Sequence, residues 1–187
     1  MRKNPFIDIY KACNAGTTNR EKNELRKQMD EPLIDVELTN SCNLQCYMCP
    51  TGTNSMTRHK GFMAAEVMAQ LIDNLRDSAV GGVRLILWGE PTLHPKFPQY
   101  VKSLKEIGKL VHFNTNGILL TDEMIQQIVD LEVDSVKFSF QGVDRESYEE
   151  MRFGSDWDTI IENIKKLNAV RGEQEKPYIQ ISTTITD

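Results

Sequence analysis

The feature that most limits the fold of this chain is an alternation of two hydrophobic periods, which begins at Leu33 and runs to its end. LIDVELT, Leu33 to Thr39, alternates apolar and polar side chains as a strand does, and Pro32 stops any helix before it. Met63, Val67, Leu71, Ile72 and Leu75 then recur at helical spacing, which predicts an amphipathic helix over about Ala64 to Ser78, ended by Gly81-Gly82. VRLILW, Val83 to Trp88, is nearly all apolar and suits a strand covered on both faces. The pattern then repeats. Phe97, Val101, Leu104 and Ile107 mark a second helix, and Leu110 to Asn114 a third strand. Thr121 is the predicted N-cap of a helix reaching about Leu131, with Asp122 and Glu123 where the helix dipole favours acids. Ser135 to Phe140 is the fourth strand, and a short helical stretch spans Glu146 to Met151. Ser155-x-x-Asp158 resembles a capping box for a helix burying Trp157, Ile160, Ile161, Ile164 and Leu167, and Tyr178 to Thr186 reads as a fifth strand.

Strand alternating with helix implies successive right-handed βαβ units. The predicted class is therefore α/β, a partial parallel (β/α) barrel with about five β/α strands, occupying residues 32–187 behind an N-terminal lead-in, 1–31, whose tract TTNREKNELRKQMDE is a helix or a solvated segment. The segments SCNLQC, GEPTLHP, NTNG and FSFQG all follow strands. In parallel β/α folds such loops gather at the C-terminal rim, where active sites lie. Sequence order alone puts the cysteines, Glu90, Asn116 and Ser139 around one mouth.

The first of these loops carries the most chemistry. Cys42, Cys46 and Cys49 stand at C-x3-C-x2-C spacing, close enough for three thiolates to turn around one soft metal centre. A fourth ligand is missing from the motif. Structural zinc normally takes four protein ligands, so a zinc site would need His59 or Cys13 to complete it. A four-iron four-sulfur cluster held by three thiolates keeps one iron open for other chemistry. Disulfides are the weakest reading, because close Cys-x-x-Cys spacing without a secretory signal points to metal or redox chemistry.

The balance of 22 Lys plus Arg against 27 Asp plus Glu, net charge -5, argues against a nucleic-acid surface. No run of residues is apolar for long enough to span a bilayer, and MRKNPFIDIYKAC lacks the apolar core of a signal peptide. A cytoplasmic location is expected, where reducing conditions suit thiolates reserved for iron; Cys13 is then a spare thiol.

The loop CNLQCYMC resembles the signature of the radical S-adenosylmethionine (radical SAM) enzymes, in which three cysteines hold a 4Fe-4S cluster and S-adenosylmethionine occupies the open iron. The residue before the last cysteine is usually aromatic there and lies near the adenine; here it is Met48, with Tyr47 before it. Gly89, Glu90 and Pro91 are similar to the last three residues of the family's GGEP motif, which holds the methionyl ammonium, with Trp88 in place of the first glycine. Thr115 and Asn116 in NTNG and Ser139 in FSFQG resemble positions that contact ribose and carboxylate; turn chemistry explains the same residues equally well. Arg152 resembles an arginine used against the methionyl carboxylate, with a surface charge as the alternative. His59 and His94 have no visible partner and are assigned no catalytic role, while His112 is read as packing or hydrogen bonding within a strand. Met56 to Met63 resembles the lead-in of the SPASM-type branch.

The resemblance implies reductive cleavage of S-adenosylmethionine to a 5′-deoxyadenosyl radical, which takes hydrogen from a substrate, whether peptide, sugar or other small molecule. It also implies an external electron donor. The alternative is a non-catalytic iron-sulfur or zinc-binding module on the same scaffold. Barrels of this family ordinarily have at least six β/α units, so the core is expected to be incomplete at its C-terminus, with a further domain or a partner covering the edge of the fifth strand.

Overall fold

A computed structural model of the chain describes residues 2–16, 18–27 and 32–183, with the side chains of 13, 23 and 25–27 also outside the described set. The expectation for the thiol of Cys13, and the last residues of the fifth strand, lie outside the described residues.

Five parallel strands form one sheet in the order β1 (Leu33–Val36), β3 (Gly82–Leu85), β4 (Leu110–Thr115), β5 (Ser135–Ser139) and β7 (Tyr178–Ser182). Between them run α3 (Ala65–Arg76), α4 (Phe97–Glu106), α5 (Asp122–Asp130), α6 (Arg145–Met151) and α7 (Trp157–Arg171). A second sheet pairs β2 (Gln45–Cys46) with β6 (Arg152–Phe153), antiparallel. The chemistry of the strands differs by face. Val36, Val83, Leu85, Val111, Phe113, Val136 and Phe138 are buried in the hydrophobic core, together with Met68, Leu75, Val101, Leu104, Ile125, Ile128, Ile160 and Leu167 of the helices. The alternate residues, Asp35, Arg84, His112, Asn114, Lys137 and Gln180, share the opposite, inward face.

The strand expected at Val83 to Trp88 ends earlier. Leu87 takes φ 118°, a left-handed conformation that an L side chain adopts only under constraint, so regular pairing stops at Leu85. Leu87 and Trp88 are 54% and 45% exposed, not strand interior. β1 likewise stops at Val36, while Leu38 and Thr39 continue, buried, into the loop. The helix caps follow the chemistry of short acceptors: Thr121 accepts from Met124 N at 3.1 Å as predicted. For α7 the acceptor is Asp156, which takes Thr159 N at 2.7 Å, not the expected Ser155. Asp and Ser are both good N-caps, so the sequence offered two neighbouring candidates.

The N-terminal tract forms α1 (Ile7–Asn14) and α2 (Asn19–Lys27), the latter begun by reciprocal bonds between Thr18 and Glu21. Phe6 is fully buried, edge-on to His112 at 5.7 Å and beside Gly82. It closes the inward face at the N-terminal ends of the strands. Among the described residues no helix is long and apolar enough to cross a membrane.

Candidate active site

The cysteine loop leaves β1 and returns to its own base. Thr39 Oγ1 donates to Gly61 O at 2.7 Å, Asn40 Nδ2 to His59 O at 2.7 Å, and Gly61 N to Asn40 Oδ1 at 2.8 Å. Met63 N then donates to Leu38 O at 2.8 Å. These bonds hold the stem, so the thiols are displayed by a fixed loop. Within it Cys49 N donates to Cys46 O at 3.1 Å, and Cys46 pairs with Arg152 across the β2–β6 ladder.

The next strand end is seated against that stem. A Cβ on Gly89 would lie 1.9 Å from Thr39 O, so only glycine permits this approach. The close contact falls on Gly89, and Trp88 in the preceding position is accommodated with its N–H donating to Glu37 Oε1 at 3.1 Å. Trp88 O accepts from Thr51 Oγ1 at 2.9 Å, tying the turn to the cysteine loop. Glu37 in turn takes a two-pronged pair from Arg58, at 2.6 and 3.0 Å.

Glu90 is only 2% exposed. Its Oε1 accepts from Thr92 N at 3.2 Å, Thr92 Oγ1 at 2.7 Å and Thr115 Oγ1 at 2.9 Å, while among the described residues Oε2 accepts only from Asn116 N, at 2.7 Å. Burial pushes its carboxyl above the ordinary value and these donors pull it back. Asn116 Nδ2 continues the network to Asn43 Oδ1 at 2.8 Å and Cys42 Sγ at 3.7 Å. Thr115 Oγ1 also accepts from Gly117 N, and Asn116 Oδ1 from Ile118 N, so both residues perform the turn chemistry of NTNG while facing the site. Burial raises the thiols of Cys42 and Cys46, the latter opposed by the charge of Arg152.

One open cleft of about 360 Å³ lies at the C-terminal ends of the strands. Cys42, Cys46 and Cys49 line it, with Met48 between the last two. Gly89, Glu90, Thr115 and Asn116 form one wall; Ser139 and Arg152 form another. Pro91 is buried at the start of a 3-10 turn, Pro91–Leu93, and does not line the cleft. Arg152 is 7% exposed, bonded to Gln141 Oε1, and its Nε has no partner. The hydroxyl of Ser139 bonds nothing among the described residues. His94 is structural, its ring between Met63 O and Lys96 N. Sequence reasoning missed Asn114, Gln141, Leu87 and Trp88 as cleft residues; the first two sit in the strand-end segments already singled out, which was the available signal.

The family model for the radical SAM superfamily matches residues 36–180. The chain belongs to the radical SAM superfamily. A curated relative, the tungsten-containing aldehyde ferredoxin oxidoreductase cofactor-modifying protein of Pyrococcus furiosus, is 32% identical over 160 residues, 81% of this chain and 43% of that protein. A probable GTP 3',8-cyclase of Methanococcus maripaludis is 28% identical over 133 residues, 70% of this chain and 43% of that protein. The chain thus spans under half the length of these radical SAM relatives. Among solved structures, Streptococcus suis SuiB bound to S-adenosylmethionine superposes with a TM-score of 0.70 at 18% identity, over 97% of this chain and 44% of that one, which establishes the shared fold.

Radical SAM proteins use a 4Fe-4S cluster and S-adenosylmethionine, and the donor set fits both. Three soft thiols suit iron-sulfur ligation. A carboxylate oxygen with one donor among the described residues has room for an ammonium, and the Arg152 guanidinium in the cleft wall suits a carboxylate. Among the described residues no three His, Cys, Asp or Glu side chains converge as a single metal ion would need.

Proposed function

We propose that this chain is the catalytic core of a radical SAM enzyme, with Cys42, Cys46 and Cys49 as cluster ligands. The observation that carries the reading is that all three cysteines, Glu90, Asn116, Ser139 and Arg152 line one cleft, although they come from four different strand-end segments and, for Arg152, from the short strand after α6. When bound and reduced, the cluster supplies the electron that cleaves S-adenosylmethionine to methionine and a 5′-deoxyadenosyl radical.

The protein's own share is placement. Glu90 Oε2 accepts the methionyl ammonium, since Oε1 is already saturated by Thr92 and Thr115. Arg152 offers its guanidinium to the methionyl carboxylate from the adjoining wall. Ser139 supplies a hydroxyl to the ribose, and Met48 an apolar, polarizable surface to the adenine. The Asn116 amide, bonded at once to Asn43 and Cys42, sets the angle of the first thiol. Thr115 lines the same wall and acts through Glu90, whose Oε1 it holds.

An external electron donor and an organic substrate complete the reaction, in a reducing, cytoplasmic compartment. The contacts proposed for S-adenosylmethionine do not by themselves choose among a peptide, a sugar or another small molecule as substrate. β7 forms the last strand of the sheet, with Ile181 61% exposed, and further polypeptide or a partner covers it in the working enzyme.

The test is anaerobic reconstitution with iron and sulfide, then reduction with S-adenosylmethionine and product analysis. Deoxyadenosine release is expected. An intact cluster that never cleaves the cofactor would support a non-catalytic module instead. Alanine at Cys42, Cys46 or Cys49 is expected to abolish the visible cluster absorption, and full cluster occupancy after any one loss would overturn the ligand set.

A further inference from the structure

Beneath the cleft, the inward face of the sheet carries charges that the placement of S-adenosylmethionine does not use. Asp35 and Arg84 form a two-pronged pair at 2.6 and 2.8 Å and cancel. Glu37, two residues above Asp35, is taken by Arg58. Lys137 on β5 has no counter-charge: among the described residues no carboxylate or carbonyl bonds its ammonium. It lies on the same face as Ser139, two residues further on, and in register with Asn114 of β4, both of which line the cleft.

Asn114 is oriented from below. Its Oδ1 lies 2.9 Å from His112 Nε2, and because an amide oxygen can only accept, Nε2 carries the proton. Nδ1 is then the bare nitrogen, buried and without a partner. This consumes the acceptor of Asn114 and leaves its Nδ2 amide unbonded beside Lys137. Two adjacent donors, one of them an ammonium, thus stand without acceptors among the described residues on the inward face of an acidic protein of net charge -5. Lys137 is half-buried, and a cation partly withdrawn from water gains from a counter-charge, so an unmatched one on the wall of a site is suited to receive an anion.

We propose that Lys137 and Asn114 together seat an anionic group of the substrate, a carboxylate or a phosphate, on the inward wall below the cofactor. The inference rests on the reading of the cleft as a radical SAM site, because only then is the space beneath it the substrate's. Burial and the proximity of Arg84 hold the Lys137 ammonium below its ordinary value, the behaviour of a cation short of counter-charge. The negative charge of a bound oxyanion would offset both. Neither an apolar nor a cationic substrate makes use of these donors, so the seat narrows the substrate to molecules bearing an oxyanion.

Competitive lysine acetylation of the anaerobically reconstituted chain tests the seat, with peptide mass spectrometry comparing Lys137 with Lys102, an exposed lysine paired with Glu106. Inorganic phosphate and acetate are titrated separately, at ionic strength held constant with chloride. Protection by one or both is expected, the Lys137 rate falling about fivefold at four times Kd as 1 + [probe]/Kd requires, while Lys102 is unaffected. Phosphate alone protecting assigns the phosphate class, acetate alone the carboxylate class. Asn114→Ala is expected to move the protection to several-fold higher probe concentration; an unchanged midpoint, or equal responses at Lys137 and Lys102, overturns the seat. Cluster absorption and deoxyadenosine release are read on the same preparation. Cofactor cleavage without protection sinks the anion seat alone, and protection without cleavage sinks the reading of the cleft alone.

Discussion

Glu90 does two jobs with its two oxygens, and its replacement should separate them. Oε1 holds the 3-10 turn and the end of β4 in place, while Oε2, which accepts from Asn116 N, is the oxygen proposed to take the ammonium. Glu90→Ala is expected to weaken S-adenosylmethionine binding by roughly tenfold to a hundredfold, the loss of a charge-assisted bond of about 1.5–3 kcal/mol. Calorimetry on reconstituted protein checks the affinity, and an unchanged Kd would remove Glu90 from the site. Thr92→Val, which loses only a bond to Oε1, should lower Tm with little effect on affinity. His112 makes a different, pH-dependent contribution. Burial lowers its pKa from 6.5 to about 4, so the folded protein holds fewer protons than the unfolded chain between those values. Stability is therefore full above about pH 6.5 and falls as the pH drops toward 4, by about 3 kcal/mol in all. His112→Gln should flatten that part of the profile in urea denaturation measured across the range.

At the level of elements, the approach of β3's turn to the stem of the cysteine loop depends on one missing methyl. Gly89→Ala would drive a carbon into Thr39 O, and a backbone carbonyl within a bonded stem cannot swing aside. It is expected to lower Tm and to impair cluster loading together. The cap of α7 is a gentler case: Asp156→Ala should cost about 1 kcal/mol in thermal unfolding, and Ser155→Ala much less. That distinction was not legible in the sequence, where Ser155 and Asp156 are both capable acceptors. The starts of the five strands were legible, because Pro32, Gly81-Gly82 and the change of hydrophobic period mark them. Their ends were not, since an apolar run such as LILW continues past the point where Leu87 turns out of the sheet. The β2–β6 ladder was invisible for a simpler reason. Two residues carry no period, and the pairing of Gln45 with Phe153 joins segments more than a hundred positions apart.

Taken whole, the molecule is closed at one end by its own N-terminal segment and open at the other. Phe6 fills the inward face beneath Arg84 and His112, and Arg2 donates to Gly172 O at 2.6 Å and Gln174 O at 3.0 Å. Phe6→Ala should cost about 3–5 kcal/mol, as for a large buried aromatic, and equilibrium unfolding measures it directly. The motif residues were legible as neighbours because parallel topology carries every strand end to one rim; the role of residues 2–16 was not, since Phe6 bears no sequence mark that distinguishes a plug from a tail.

The ladder between β2 and β6 joins the cysteine loop to the chain segment on the far side of the mouth, between Gln141 and α7. Loading and mobility on the two sides are then a single quantity seen from two ends, and reciprocity follows as a matter of thermodynamics. If iron steadies Cys46, amide hydrogen exchange should slow in residues 151–155, which touch no metal ligand except through that ladder. By the same relation, if iron loading tightens the binding of a molecule at Gln141 to Asp144, that molecule tightens the grip on iron by an equal factor, so a substrate coupled in this way would also guard the enzyme against loss of its metal.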